Sequence, residues 1–132
     1  MDFSVDASSR TPIYRQLAEQ IRTAIARGRL LANARLPSVR DLSRRLVINP
    51  NTVARVYTEL ERDGVLVTRH GLGVFVAQPG SDLTKKSRRD RLTGLLDGFF
   101  TEAVLLGFSA DEVRDLVTDR IAQFQFQWQA GV

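Results

Sequence analysis

Arginine is the residue type through which this chain has most scope to do chemistry. Of its 19 basic residues 17 are arginine, and residues 10–70 hold 12 basic against 5 acidic side chains. A guanidinium presents a planar fork of donors that pairs with phosphate or with a guanine edge through two parallel hydrogen bonds. A segment so basic suits a polyanion, because neutralised phosphates release condensed counterions. A GC-rich coding sequence would enrich arginine as well, so composition alone leaves both readings open. From residue 92 to the end the balance reverses, with Arg114 and Arg120 facing 6 acidic residues. The two parts of the chain face different partners.

Other chemistry finds little support. There is no cysteine and one histidine, His70, so no thiolate nucleophile, zinc site or serine triad can be assembled. No phosphate loop or clustered catalytic set is present either, and neither enzyme activity nor a cofactor or metal is expected. At 132 residues, 43% hydrophobic and 26% charged, the chain has the composition of a folded protein, one domain of ordinary size or one small domain with an appendage. No apolar run approaches the length of a membrane span and the first ten residues are polar, so a cytoplasmic location is expected.

Three helices must position the arginines. Thr11 and Pro12 read as an N-cap followed by proline at the first helical position, and Ile13, Leu17, Ile21, Ala24 and Ile25 recur at helical spacing until Arg27-Gly28. Ser38 opens a second helix of about two turns, with Asp41 three residues on and Val39, Leu42 and Leu46 facing inward. Asn49-Pro50 opens a third in the cap-plus-proline manner, with Val53, Val56, Tyr57 and Leu60 on one stripe and a stop at Asp63-Gly64. Barely a turn, Val47 and Ile48, joins the second to the third. The period then changes to two β-prone runs, Val65-Leu66-Val67-Thr68-Arg69 and Val74-Phe75-Val76-Ala77, around Gly71-Leu72-Gly73. Three helices and a hairpin make a winged helix-turn-helix, in which the later helix of the pair enters the major groove. Tyr14, Val56 and Tyr57 are assigned to its core.

Residues 1–78 form this module and Gln78-Pro79-Gly80-Ser81 closes it, with a linker at 79–82 and a second segment at 83–132. There Leu92, Leu95, Leu96, Phe99, Phe100, Ala103 and Val104 follow helical spacing over 83–106, with Gly107 as C-cap. Ser109 and Glu112 form a capping box ahead of Val113, Leu116, Val117, Ile121, Phe124 and Trp128. The fold class is therefore mainly α with a small β-hairpin, the winged helix being followed by two amphipathic helices. Two such helices expose more apolar face than they cover alone. Leu92, Leu95, Leu96, Phe99, Phe100, Val104, Leu116, Val117, Ile121, Phe124 and Trp128 are accordingly expected at a homodimer interface, packing within one chain being the alternative. The basic run Lys85-Lys86-Ser87-Arg88-Arg89-Asp90-Arg91 reads as a solvated helix face, as further phosphate contacts, or as a surface that faces the acidic tail of a partner subunit.

Four strings then stand in register: Leu36-Pro37-Ser38-Val39-Arg40-Asp41-Leu42, Asn49-Pro50-Asn51-Thr52-Val53, Tyr57-Thr58-Glu59-Leu60-Glu61-Arg62-Asp63-Gly64 and His70-Gly71-Leu72-Gly73-Val74-Phe75-Val76. In order and spacing they resemble the DNA-binding domain of GntR-family bacterial transcription regulators over residues 12–77, and the short tail resembles the YtrA branch. The resemblance implies a sequence-specific regulator, a repressor bound as a homodimer to an inverted repeat in double-stranded DNA. Such regulators often control their own operon and a neighbouring transporter.

The resemblance also implies residue roles. Arg40 matches a position that contacts the operator, and Ser38 and Thr52 match hydroxyls that donate to phosphate, beside helix N-termini with free N–H groups. Asn49 and Asn51 flank the start of the recognition helix, where Asn49 also reads as a cap. Pro50 and Ala54 stand where better-known branches carry arginine, so Arg55 is nominated instead, with Thr58 one turn on. At the wing His70 and Gly71 match a pair that reaches the minor groove, with Arg69 on phosphate; hairpin geometry alone would also call for the glycine. A winged-helix protein-interaction module with an incidental basic face is the competing reading. A small-molecule effector has little volume in a two-helix tail, a pocket between subunits or against the wing domain being the alternative.

Overall fold

The computed structural model describes residues 2–78 and 85–124, and the chain divides into two compact units, Met1–Ser81 and Asp82–Val132. The expected linker at 79–82, Leu83 and Trp128 lie outside the described residues.

The first unit contains α1 (Ile13–Ala26), α2 (Val39–Leu46), α3 (Pro50–Arg62), β1 (Leu66–Arg69) and β2 (Gly73–Val76). Each helix buries the stripe that its periodicity marks out. Leu17, Ile21 and Ala24 from α1, Leu42 from α2, and Val53, Val56, Tyr57 and Leu60 from α3 meet Leu30, Leu36, Leu66 and Val76 in one core. Burying each large aliphatic side chain contributes about 1.5–3 kcal/mol. The hairpin is antiparallel with Leu66 opposite Val76 and Arg69 opposite Gly73. The chain before α2 runs along the free edge of β2, which the sequence reading had not placed there. Asn33 N donates to Val76 O, Val76 N to Ala34 O and Leu36 N to Val74 O, each at 2.8 Å. This third, short edge covers backbone groups that would otherwise be left open.

At the start of α1 the expectation needs correction. Pro12, not Thr11, occupies the N-cap, with extended backbone, and no side chain caps the helix. The Thr11 carbonyl instead accepts from Gln16 Nε2 at 2.7 Å, so its residue is tied down by another bond. Gln16 also exchanges hydrogen bonds with both backbone groups of Asp6, and Gln20 does the same with Ser4. Two glutamines one turn apart thus stitch the preceding arm onto α1, and Phe3 packs against the core.

The second unit contains α4 (Lys85–Leu105) and α5 (Ala110–Gln123). The long helix ends at Leu105, one residue short of the span 83–106 read from the sequence, whose first two residues lie outside the described ones. The capping box is present: Ser109 Oγ accepts from Glu112 N at 3.2 Å and Glu112 Oε1 accepts from Ser109 N at 3.0 Å. These bonds, led by the Ser109 N–H, hold the Glu112 carboxyl below its ordinary range. Its folded-state value being lower than the unfolded one, the box stabilises α5 at neutral pH, and that contribution fades as pH falls through the depressed value. Ala103 and Val113 are buried, while large apolar side chains around them are exposed.

Four helix ends share one construction. After α1, α3 and α4 the chain turns at Gly28, Gly64 and Gly107, with φ of 77°, 77° and 85°, and the next N–H reaches back to the helix, as Phe108 N does to Ala103 O. After α2 the same turn is made by Val47, at φ 53° and ψ 53°, with Ile48 N on Ser43 O. A β-branched residue in the left-handed region is strained by about 1–3 kcal/mol, and Val47 is 88% exposed, so no packing offsets this. Val47→Gly is therefore expected to raise stability by about 1 kcal/mol after the added freedom of the unfolded chain is counted. A urea titration checks it; an unchanged or lower midpoint would show that the turn carries no strain.

Candidate nucleic-acid interface

The buried stripe of α3 decides which of its side chains face outward. Opposite Val53, Val56, Tyr57 and Leu60 lie Asn51, Arg55, Thr58 and Arg62, spaced by four, three and four residues and all exposed. The nominated Asn51, Arg55 and Thr58 thus share a face, and Arg62, which the sequence reading passed over, extends it by the same spacing. Thr52 is half-buried beside it. Asn49 is the N-cap, its Oδ1 accepting from Asn51 N at 2.8 Å. Its amide N–H groups retain their donor capacity, since one side chain supplies both functions.

Helix α2 is fixed against α3 at its leading end. The Tyr57 hydroxyl donates to Pro37 O at 2.7 Å, one residue before the Ser38 cap. Burial pushes the Tyr57 phenol well above its usual range, with Arg45 opposing, so the group stays a donor at any physiological pH. Ser38 Oγ accepts from Asp41 N at 3.1 Å, and Arg40, Arg44 and Arg45 are exposed. Only Arg40 of these was nominated from the sequence. Arg44 stands one helical turn beyond it, a signal that spacing alone could have supplied.

The N-termini of α2 and α3 are not equivalent as anion sites. At α2 the Asp41 N–H is capped, while Val39 and Arg40 have N–H groups with no acceptor among the described residues. At α3 Pro50 has no N–H, the Asn49 side chain takes Asn51 N, and Thr52 N bonds Asn49 O at 3.0 Å. The expectation of free N–H groups at both helices therefore holds for α2 and fails for α3, where cap and proline consume them.

Arg55 is less free than its place on α3 suggests. Its Nε donates to Glu59 Oε1 at 3.1 Å and its guanidinium lies 3.9 Å from the centre of the Tyr14 ring. The hydrogen bond to Glu59 is the main reason its pKa is raised further. Tyr14 is thus half-buried under an arginine as well as packed on the core. At the wing His70 and Gly71 are exposed, Gly71 having φ 77° and Leu72 N closing the turn on Arg69 O at 2.9 Å. A side chain at Gly71 would meet nothing, so conformation rather than space calls for glycine there. Arg69 lies over the Phe75 ring at 4.5 Å and donates to Asn33 Oδ1 at 2.7 Å. Of the tail residues, Leu92, Leu95, Leu96, Phe99, Phe100, Val104, Leu116 and Ile121 are exposed, and Val117 and Phe124 are half-buried.

Glu59 places a negative charge next to the face of α3 that carries Asn51 and Arg55. Glu59→Gln is expected to tighten binding to duplex DNA by about two- to fivefold and to steepen its salt dependence, because Arg55 is released from a surface ion pair. Weaker binding in a fluorescence anisotropy titration would show that Glu59 instead aims the guanidinium.

Comparison with known proteins agrees with this arrangement. Residues 13–76 match the family model for bacterial regulatory proteins of the gntR family. The chain is 39% identical to the uncharacterized HTH-type transcriptional regulator YhcF of Bacillus subtilis, over 80% of this chain and 86% of that one. It is 28% identical to the HTH-type transcriptional repressor YtrA of the same organism, over 87% and 88%. Among solved structures, a transcriptional antiterminator from Listeria monocytogenes superposes with a TM-score of 0.71 at 29% identity, covering 91% of this chain and 90% of that one. The YtrA alignment spans 115 residues, so it runs through the tail as well as the winged helix. Winged helix, outward arginines and relatives lead to one conclusion: the chain belongs to the GntR family of bacterial regulators, is YtrA-like in its short tail, and is a DNA-binding transcription regulator rather than an enzyme.

Proposed function

We propose that the protein is a repressor that acts in the cytoplasm as a homodimer on an inverted-repeat operator. The observation that carries this reading is the division of surfaces between the two units. The winged helix presents Ser38, Arg40, Asn49, Asn51, Thr52, Arg55, Thr58, Arg69, His70 and Gly71 to DNA, while the tail presents an apolar face to a second copy. On α4, Leu92, Leu96 and Phe99 recur at spacings of four and three, flanked by Leu95 and Phe100. Leu92 and Leu95 are 67% and 69% exposed, which water disfavours and a symmetric partner relieves. In this reading the DNA-binding domain ends near residue 78 and the dimerisation segment begins near 83.

A two-fold dimer carries two recognition helices to half-sites about one helical turn apart, so each subunit reads one arm of a palindrome. Arg40 stands at the free N–H groups of α2, where one guanidinium and two amides converge on one anion. Asn51 and Arg55 face the base edges from the first turns of α3, and His70 with Gly71 reaches the minor groove. The YtrA relative is named a repressor, and control of the protein's own operon together with a transporter is what the resemblance to that branch implies.

The test is a salt-titrated binding measurement on the protein's own upstream DNA and on a scrambled duplex, with solution mass determined in parallel. A preference of about a thousandfold for the upstream duplex, from a dimer, is expected. Arg40→Ala should cost about 1–3 kcal/mol of binding if Arg40 reads a base, and an equal loss on both duplexes if it holds phosphate alone. Equal weak binding to both duplexes, or a monomer, would overturn the reading and favour a protein-interaction module.

A further inference from the structure

Four charged side chains of the described residues share their charge with a carboxylate: Arg22 with Asp63, Arg55 with Glu59, Lys86 with Asp90 and Arg114 with Asp111. Arg69 is held differently. Its guanidinium is oriented by two neutral groups, the Asn33 amide oxygen at 2.7 Å and the Phe75 ring at 4.5 Å, so it is fixed in place and keeps its full charge.

The sheet register explains how a second cation comes to lie beside it. Arg69 pairs with Gly73 across the hairpin, and Arg35 bridges Phe75 from the other edge of β2. Alternation along β2 puts Gly73 and Phe75 on the outer face, away from buried Val76. Arg69 therefore crosses β2 diagonally over Phe75 toward Asn33, and Arg35 runs the opposite way over Gly73. A Cβ on Gly73 would stand 3.0 Å from Arg35 Nε and 3.6 Å from its Cζ, so the missing side chain at 73 is the space that Arg35 occupies. Gly73 also has φ 124°, which excludes other residues independently. Asn33 itself sits in the left-handed region at φ 70°, its N–H bonded to Val76 O, so its backbone is committed to aiming the amide at Arg69. Arg35 is exposed and has neither hydrogen-bond nor ion-pair partner among the described residues.

We infer that Arg35 and the oriented Arg69 form a pair of cations on the outer face of the wing that grips the sugar-phosphate backbone of DNA beside the minor groove, with Asn33 as the positioning residue for Arg69. The inference rests on the DNA-binding reading above and adds a contact surface to it. Two unneutralised guanidiniums on a rigid sheet bind phosphate without first giving up a carboxylate, which Arg55 must do. The contact is independent of base sequence and extends the protein's grip beyond the major groove.

The test uses the full chain, Arg35→Gln, Arg69→Gln, Asn33→Gly and the Asn33→Gly/Arg69→Gln double variant, titrated with salt on the upstream duplex and on a scrambled one. Glycine at 33 keeps the left-handed backbone and removes only the amide. Each glutamine variant is expected to lower the slope of log K against log salt by about 1, equally on both duplexes. Asn33→Gly should weaken binding less than Arg69→Gln does and add nothing to it in the double variant. Thermal unfolding identifies any variant that has lost its fold, and Arg35→Lys and Arg69→Lys then replace the glutamine forms, expected to keep most of the slope. Wild-type binding with unchanged slopes in both glutamine variants overturns the inference and leaves the DNA-binding reading intact. Additive losses in the double variant remove Asn33 from its role, and a wild-type protein without salt-dependent binding overturns both readings.

Discussion

The winged helix depends on the burial of one face of α3. Val53, Val56 and Leu60 are 1% exposed or less, and Tyr57 beside them is 4% exposed. Turning that face outward would return four large side chains to water, at about 1.5–3 kcal/mol each, more than any surface contact could offset. The opposite face is consequently fixed, and with it the side chains available to DNA. The same face also governs α2, because Tyr57 extends from the core to the Pro37 carbonyl and holds the leading end of α2. One helix thus orients its own outward stripe and the N-terminus of its neighbour. Leu66 and Val76 belong to the same core, so the wing is tied to it as well.

The surfaces this core leaves exposed differ in how ready their charges are. Arg40 stands free at a helix start, Arg69 is aimed by neutral partners, and Arg55 is held by a carboxylate and an aromatic ring. In the proposed reading, association at phosphate is open to α2 and to the wing from the outset, while contact by Arg55 requires exchange of one partner for another. With Arg55 facing the groove as proposed, leaving Glu59 would favour sequences that reward the exchange, a route to discrimination by difference rather than by strength. In the proposed dimer the tail would add geometry, because a symmetric partner would set the spacing of two such surfaces.

Much of this was legible in the sequence because it is periodic or local. The stripes of α1 and α3, the caps at Ser38, Asn49 and Ser109, and the glycines at 28, 64 and 107 each follow from residues within a turn of one another. The candidate site was legible only in part. Ser38, Arg40, Asn51 and His70 were reached through motif register, but the pairing of Arg55 with Tyr14 joins residues that no local pattern connects. The same holds for Asn33 with Arg69, 36 positions apart, and for the edge of β2 that residues 33–36 cover. Thr11 was misread because a threonine before proline has the composition of a cap, while Gln16 had claimed its carbonyl from within the helix. Val47 ran against propensity altogether, occupying a turn where the other three helix ends place glycine.

In the proposed reading the buried face of α3 directs the starts of α2 and α3 and the wing toward DNA. Backbone hydrogen exchange of the full chain, with and without the upstream duplex, tests it most directly. Slower exchange on binding is expected at Val39 and Arg40, across the first turns of α3 and at residues 69–71, with α1 unchanged. Protection confined to α1 or to α4 and α5, with α2, α3 and the wing unaffected, would contradict it.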